Sequence, residues 1–135
     1  MIDEKATVDK ATEFLLKYHN IRRLAGQPIF SSIENAINTK VQLTKDDSIK
    51  KELVERKNTC INLLNAVHHT LSVLPYKDKN LLFEIYMSDS PKTGIKIYKE
   101  LNISESTFYR LRYEAILKFS EAYRGADLIV FNSNT

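Results

Sequence analysis

Gly94-Ile95-Lys96-Ile97-Tyr98-Lys99-Glu100-Leu101-Asn102-Ile103-Ser104-Glu105-Ser106-Thr107-Phe108-Tyr109-Arg110-Leu111 decides how the rest of the chain is read. Two short helical patterns flank a three-residue turn, Asn102-Ile103-Ser104, which is the spacing of a helix-turn-helix. Ile97, Leu101, Ile103, Phe108 and Leu111 are expected to form the apolar wedge that sets the angle between the two helices. Asn102 stands where the turn needs a left-handed residue, a conformation that asparagine tolerates best after glycine. Ser104 is placed to cap the second helix. Tyr98 takes the place where such motifs mostly carry alanine, so the helix pair must accommodate a larger group.

The second helix then presents Glu105, Ser106, Thr107, Tyr109, Arg110 and Tyr113 outward. The N-terminal end of a recognition helix enters the major groove, so these are the candidates for reading bases in double-stranded DNA. Arg110 has the planar fork for two bonds to a guanine, and Ser106 and Thr107 suit bases or phosphates. Lys92, Thr93 and Lys96 near the start of the first helix, together with Arg112, are the candidates for the phosphate backbone. The competing reading is an ordinary pair of antiparallel helices whose exposed face is basic.

Working outward, the chain reads as helical almost throughout, an all-α fold. Val8, Ala11, Phe14, Leu15, Tyr18, Ile21 and Leu24 recur every three or four residues, which predicts one helix over 3–24. Ala25-Gly26 and Pro28 stop it. Residues 29–45 admit either a short helix from Ser31-Ser32 through Ile33, Ala36 and Ile37 or an irregular connection. A long central helix is expected from Asp46 to Leu74, with Asp46, Asp47 or Ser48 at its start. Ile49, Leu53, Arg56, Cys60, Leu63, Val67 and Leu71 follow at spacings of 4, 3, 4, 3, 4 and 4, close to a heptad seam with one polar intruder. Two readings stand side by side: a core helix packed on 3–24, or a helix that also forms a homodimer seam through Ile49, Leu53, Cys60, Leu63, Val67 and Leu71. Dimerisation would supply the second half-site that a single recognition helix lacks.

Pro75 ends the central helix. A further helix is expected over 77–87, a turn at Ser88-Asp89-Ser90-Pro91, and then the two helices of the motif over 92–101 and 105–123. Leu128-Ile129-Val130-Phe131 either tucks onto the body or is disordered. The chain is thus divided into a helical N-terminal region (1–74, with the seam in 46–74), a DNA-binding region (75–124) and a tail (125–135).

Composition removes other classes. The 135 residues, 43% apolar and 27% charged, fit a small globular protein. One cysteine allows no internal disulfide, no apolar run reaches membrane-spanning length, and Met1-Ile2-Asp3-Glu4-Lys5 is too polar for a signal peptide. A cytoplasmic protein with no membrane partner is expected. Three glycines leave little for phosphate-cradling loops. Net charge is only +3, but residues 92–124 carry seven basic groups against four glutamates.

No catalytic or cofactor signature emerges, so the expectation is no enzyme, no cofactor and no metal. Cys60 and His68 lack zinc-ligand spacing, Cys60 reading as a small core residue and His68 and His69 as partly exposed. Asp78, Glu84 and Asp89 have no arrangement that defines a metal centre. His19, Arg22 and Arg23 read as a solvated face.

Leu74-Pro75, a helix, then Tyr98 to Arg112 as quoted, with Glu114-Ala115 and Lys118-Phe119 beyond, resembles region 4 of bacterial sigma factors. The closer resemblance is to the ArpU family of phage-encoded transcriptional regulators, because Leu16-Lys17-Tyr18-His19-Asn20-Ile21-Arg22-Arg23-Leu24-Ala25-Gly26 is similar to that family's N-terminal helix. This resemblance implies a regulator of late genes (packaging, morphogenesis or lysis) in a phage or prophage of Gram-positive bacteria. The alternative it leaves open is a sigma-like adaptor that contacts RNA polymerase rather than reading DNA.

Overall fold

Asp3 opens the first helix by accepting the Ala6 N–H at 3.0 Å, so the charge of its carboxylate sits at the positive end of the dipole. In this computed structural model, which describes residues 1–132, the expected helix over 3–24 is two: α1 (Glu4–Leu16) and α2 (Tyr18–Leu24). The break falls at Lys17, with φ −90° and ψ 3°. Its reason is packing. α1 lies on α7 (Glu105–Ala122) and α2 on α4 (Lys51–Ser72), and one straight stripe does not face both. Gly26 ends α2 at φ 73°, as the sequence predicts.

Of the two readings for 29–45, the short helix is present as α3 (Ile33–Asn38), capped by Ser32 Oγ accepting the Asn35 N–H at 3.0 Å. An extended strap then runs along α4. Asn65 pairs with both backbone groups of Val41: Val41 N–H donates to Oδ1 at 3.0 Å and Nδ2 donates to the carbonyl at 2.8 Å. Asn58 does the same for Thr44, at 2.8 and 3.1 Å. Seven residues of helix rise about 10 Å, as do three residues of extended chain, so the two asparagines are in register with the strap.

α4 starts at Lys51, later than expected, and runs about 33 Å. Asp46 does not cap it. Its carboxylate accepts the Ser48 N–H at 2.8 Å and the Ser48 hydroxyl, closing a local turn that holds the carboxyl below its usual range. The buried face of α4 runs through Cys60, Ile61, Leu64, Val67, His68 and Leu71, rotated from the heptad line. Cys60, Val67 and Leu71 are therefore covered within one chain, with Leu63 half-buried beside them, while Ile49 precedes the helix and Leu53 is exposed. The continuous seam drawn from the sequence is corrected on this point. α2, α3 and α7 pack on α4, and the strap is bonded to its Asn58 and Asn65.

α5 (Tyr76–Leu82) continues into a π-helical turn, Phe83–Met87, closed by Ser88 N–H donating to the Phe83 carbonyl at 2.9 Å. The extra residue lets Phe83, Tyr86 and Met87 all reach the core. α6 (Gly94–Glu100) and α7 complete the α-helices, and a 3-10 turn, Arg124–Ala126, follows. One apolar core spans α1 to Leu128, so residues 1–74 and 75–124 share a single interior.

Of the two readings for the tail, the packed one is present as far as Asn132, with Leu128 and Ile129 buried. Asp3 N–H donates to the Val130 carbonyl at 2.8 Å, and Val130 N–H to Thr7 Oγ1 at 2.9 Å. Residues 133–135 of the predicted tail lie outside the described residues. Among the described residues there is no strand beyond an isolated bridge of Ile2 with Phe131, and the all-α expectation holds. No helix among them is long and apolar enough to cross a membrane.

Candidate nucleic-acid interface

Local chemistry positions α6 and α7. Thr93 Oγ1 accepts the Lys96 N–H at 3.2 Å and starts α6. Asn102 adopts φ 56°, and the turn closes through Asn102 N–H to the Lys99 carbonyl (3.2 Å) and Ile103 N–H to the Tyr98 carbonyl (3.0 Å). Ser104 Oγ accepts the Thr107 N–H at 3.1 Å and donates to Thr107 Oγ1 at 2.8 Å, which starts α7.

Between the helices, Ile97 and Phe108 are buried and Ile103 and Leu111 half-buried. Leu101, expected in this wedge, is 56% exposed, because it lies beyond the last turn of α6 and borders an open groove instead. The helices approach closely at Gly94, where a Cβ would lie 2.9 Å from Phe108 Cε2. Tyr98 is accommodated at the edge of the wedge, half-buried with its ring centroid 6.0 Å from that of Phe108.

The expected base-facing residues are brought to one surface. Glu105, Ser106, Tyr109, Arg110 and Tyr113 are exposed, and Thr107 is half-buried with its hydroxyl engaged by Ser104. Ser106, Arg110 and Tyr113, four and three residues apart, share one stripe of α7. Arg110 Nη1 sits 3.4 Å from Glu114 Oε1 in an exposed ion pair. Tyr109 carries the Arg112 guanidinium 5.1 Å from its ring centroid.

The expected phosphate contacts divide. Lys96 and Thr93 are exposed beside α7, and Arg112 is half-buried on its flank. Lys92 is engaged within the chain: its ammonium lies 3.0 Å from Glu100 and 3.4 Å from Glu84, and the bond to Glu100 with the charge of Glu84 pushes its pKa up. It ties the turn after α5 to α6, and its charge is already compensated. An apolar groove of about 360 Å³ opens beside it, lined by Leu81, Ile97, Leu101, Phe108 and Leu111.

Several polar residues are buried or paired without a signal in the sequence. Asp78 in α5 is buried and accepts from Lys118 Nζ at 3.0 Å, fastening α5 to α7. His68, read as partly exposed, is 2% exposed: its Nε2 shares a 2.7 Å hydrogen bond with the Tyr18 hydroxyl, and Phe30 packs edge-on against its ring. Burial pushes His68 down from 6.5 to about 4 and pushes Tyr18 up. His69 is exposed. Arg22, read as part of a solvated face, is buried and donates to His19 Nδ1 (3.1 Å) and to the Gln27 carbonyl (2.7 Å). Cys60 is a core residue as expected. Of the acidic residues considered for a metal, Asp78 and Glu84 each face a lysine, and no group of three potential ligands gathers among the described residues.

Two relatives align over nearly the whole chain. A protein of Streptococcus phage O1205 named "Putative autolysin regulatory protein ArpU" is 28% identical over a 135-position alignment that covers 96% of this chain and 95% of the other. A protein of the same name from Enterococcus hirae is 20% identical over 130 positions, with the same two coverages. No family model and no solved structure matches the chain. The chain is thus similar from end to end to two proteins, one from a phage and one from a bacterium, that are both named as regulators of autolysin.

Proposed function

We propose that the protein is a sequence-specific DNA-binding transcriptional regulator, with α6 and α7 acting as a helix-turn-helix of the sigma region 4 type and α7 as the recognition helix. The observation that carries this reading is the turn itself: left-handed Asn102, then the Ser104 cap, then an exposed stripe of Ser106, Arg110 and Tyr113 at the N-terminal half of α7. Hydroxyl, guanidinium and phenol groups on one face match the donors and acceptors of base edges. The names of the two relatives support a regulatory rather than an enzymatic role, and a place in the control of lysis genes of a phage or prophage inside a bacterial cell.

Selection from a random duplex library, followed by titration of the enriched site against salt, tests the reading. Enrichment of one sequence with a steep salt slope is expected, and a slope without enrichment overturns sequence-specific recognition. An inverted or direct repeat in the enriched site, with two chains per duplex in light scattering, is the outcome that supports a homodimer.

The groove of about 360 Å³ beside α6 favours one alternative, an adaptor that docks on RNA polymerase through apolar contacts. Leu101→Ser, in the groove and off the Ser106–Arg110–Tyr113 stripe, separates the two. It leaves DNA binding intact under the first reading and abolishes a polymerase complex under the second.

A further inference from the structure

We propose that Tyr109 is a positioning residue for Arg112, and that Arg112 is a preoriented phosphate contact on the flank of α7. This rests on the DNA-binding reading above and gives Tyr109 a role different from reading a base. Successive residues of α7 are about 100° apart, so Ser106, Arg110 and Tyr113 form the outward stripe and Arg112 emerges on one side of it, three residues after Tyr109.

The two arginines differ in what holds them. Arg110 is exposed and paired with the Glu114 carboxylate, a partner it must release before it can bind a base. Arg112 is half-buried, with its guanidinium 5.1 Å from the centre of the Tyr109 ring. Tyr109 in turn meets Phe108 edge-on, ring centroids 5.4 Å apart. Phe108 is fixed in the wedge by Gly94 and Tyr98. A continuous line of rings therefore connects the start of α6 to the Arg112 guanidinium. Stacking leaves the in-plane N–H groups of an arginine free at the rim of the ring, already oriented, so little side-chain freedom remains to be lost when they grip a phosphate.

The test uses the full chain and the duplex enriched by selection, titrated from low to high salt. Wild type is compared with Tyr109→Phe, Tyr109→Leu, Arg112→Gln and the Tyr109→Leu/Arg112→Gln double variant, with a thermal melt for each. Tyr109→Phe keeps the ring and should stay within about two-fold of wild-type affinity. Tyr109→Leu should weaken matched and scrambled duplexes alike, by about five-fold, and flatten the salt slope by about one. In the Arg112→Gln background the same change should add almost nothing.

A Tyr109→Leu variant that alters base preference at one position while keeping the wild-type slope overturns the proposal in favour of base reading. Losses that multiply in the double variant overturn it as well. The Arg112 side-chain proton resonances supply a readout without DNA: shifted by the ring in wild type and Tyr109→Phe, and unshifted in Tyr109→Leu. If wild type shows that shift but binds no duplex, the DNA-binding reading has failed and the phosphate role falls with it. If duplex binds and the shift is missing, the stack alone has failed.

Discussion

The α6–α7 surface and the α2–strap–α4 body are built on opposite plans. At the starts of α6 and α7 the capping groups act within three residues of their partners: Thr93 on Lys96, Ser104 on Thr107, Asn102 in its own turn. In the body the partners are distant in sequence: Tyr18 with His68, Val41 with Asn65, Thr44 with Asn58. The first plan leaves one face of α7 exposed. The second closes polar groups inside a small core, where each unpaired one would be costly. The two regions thus differ in how far apart in sequence their bonded residues lie, short-range at α6 and α7 and long-range in the body.

The strongest way to break the contrast is to remove the one feature both regions rely on, the packed core. Phe108→Ala should destabilise the protein by about 3–5 kcal/mol, because Ile97, Tyr98 and Gly94 lose the ring that separates α6 from α7. Chemical denaturation reads this directly, and a loss under about 1 kcal/mol would show that the wedge does not carry the unit.

Acid should attack the body rather than the α6–α7 surface. His68 titrates near 4 when folded and near 6.5 when unfolded, so between those values the unfolded chain takes up a proton that the folded one refuses. Its contribution is complete above pH 6.5 and disappears as pH falls toward 4, a loss of about 3 kcal/mol. His68→Gln should flatten that part of the stability profile, and an unchanged slope would assign the acid sensitivity elsewhere.

Asn65→Ala sharpens the comparison at the strap. It strips both partners from the buried Val41 backbone and should cost about 1–3 kcal/mol. Hydrogen exchange at Val41 should accelerate well before exchange in α7 does. Simultaneous acceleration in both would mean that the strap and α7 unfold as one unit.

Arg110→Ala is the mildest change to the fold and the most informative for the interface. Stability should remain within about 0.5 kcal/mol, since only an exposed ion pair with Glu114 is lost. Affinity for the selected duplex should fall by about 1–3 kcal/mol with relaxed preference at one base pair. Unchanged preference would show that another residue of the stripe is the reader.

Much of the candidate surface was legible because its signals are short-range. A left-handed asparagine, a serine cap and an outward hydroxyl-and-arginine face are properties of neighbouring residues, and they appear where the sequence puts them. The ion pairs of Lys92 are not legible for the opposite reason. A lysine beside a motif looks free until Glu84 and Glu100 are brought to it from two other turns of helix. Leu101 was placed in the wedge by its periodicity, which does not reveal that α6 ends before it. Of the two readings of the heptad line of α4, the core one describes Cys60, Val67 and Leu71, which are buried within the same chain.

Local sequence marks most of the helical stretches, the stops at Gly26 and Pro75, the turn at Asn102 and the exposed face of α7, since these depend on local backbone preferences and side-chain period. Tertiary structure alone decided the break at Lys17, the burial of His68, Arg22 and Asp78, and the gripping of the strap by Asn58 and Asn65. The physical reason is that a buried polar group is stable only beside its partner. Those partners lie up to fifty residues away, at positions that the chain acquires only when the whole core closes.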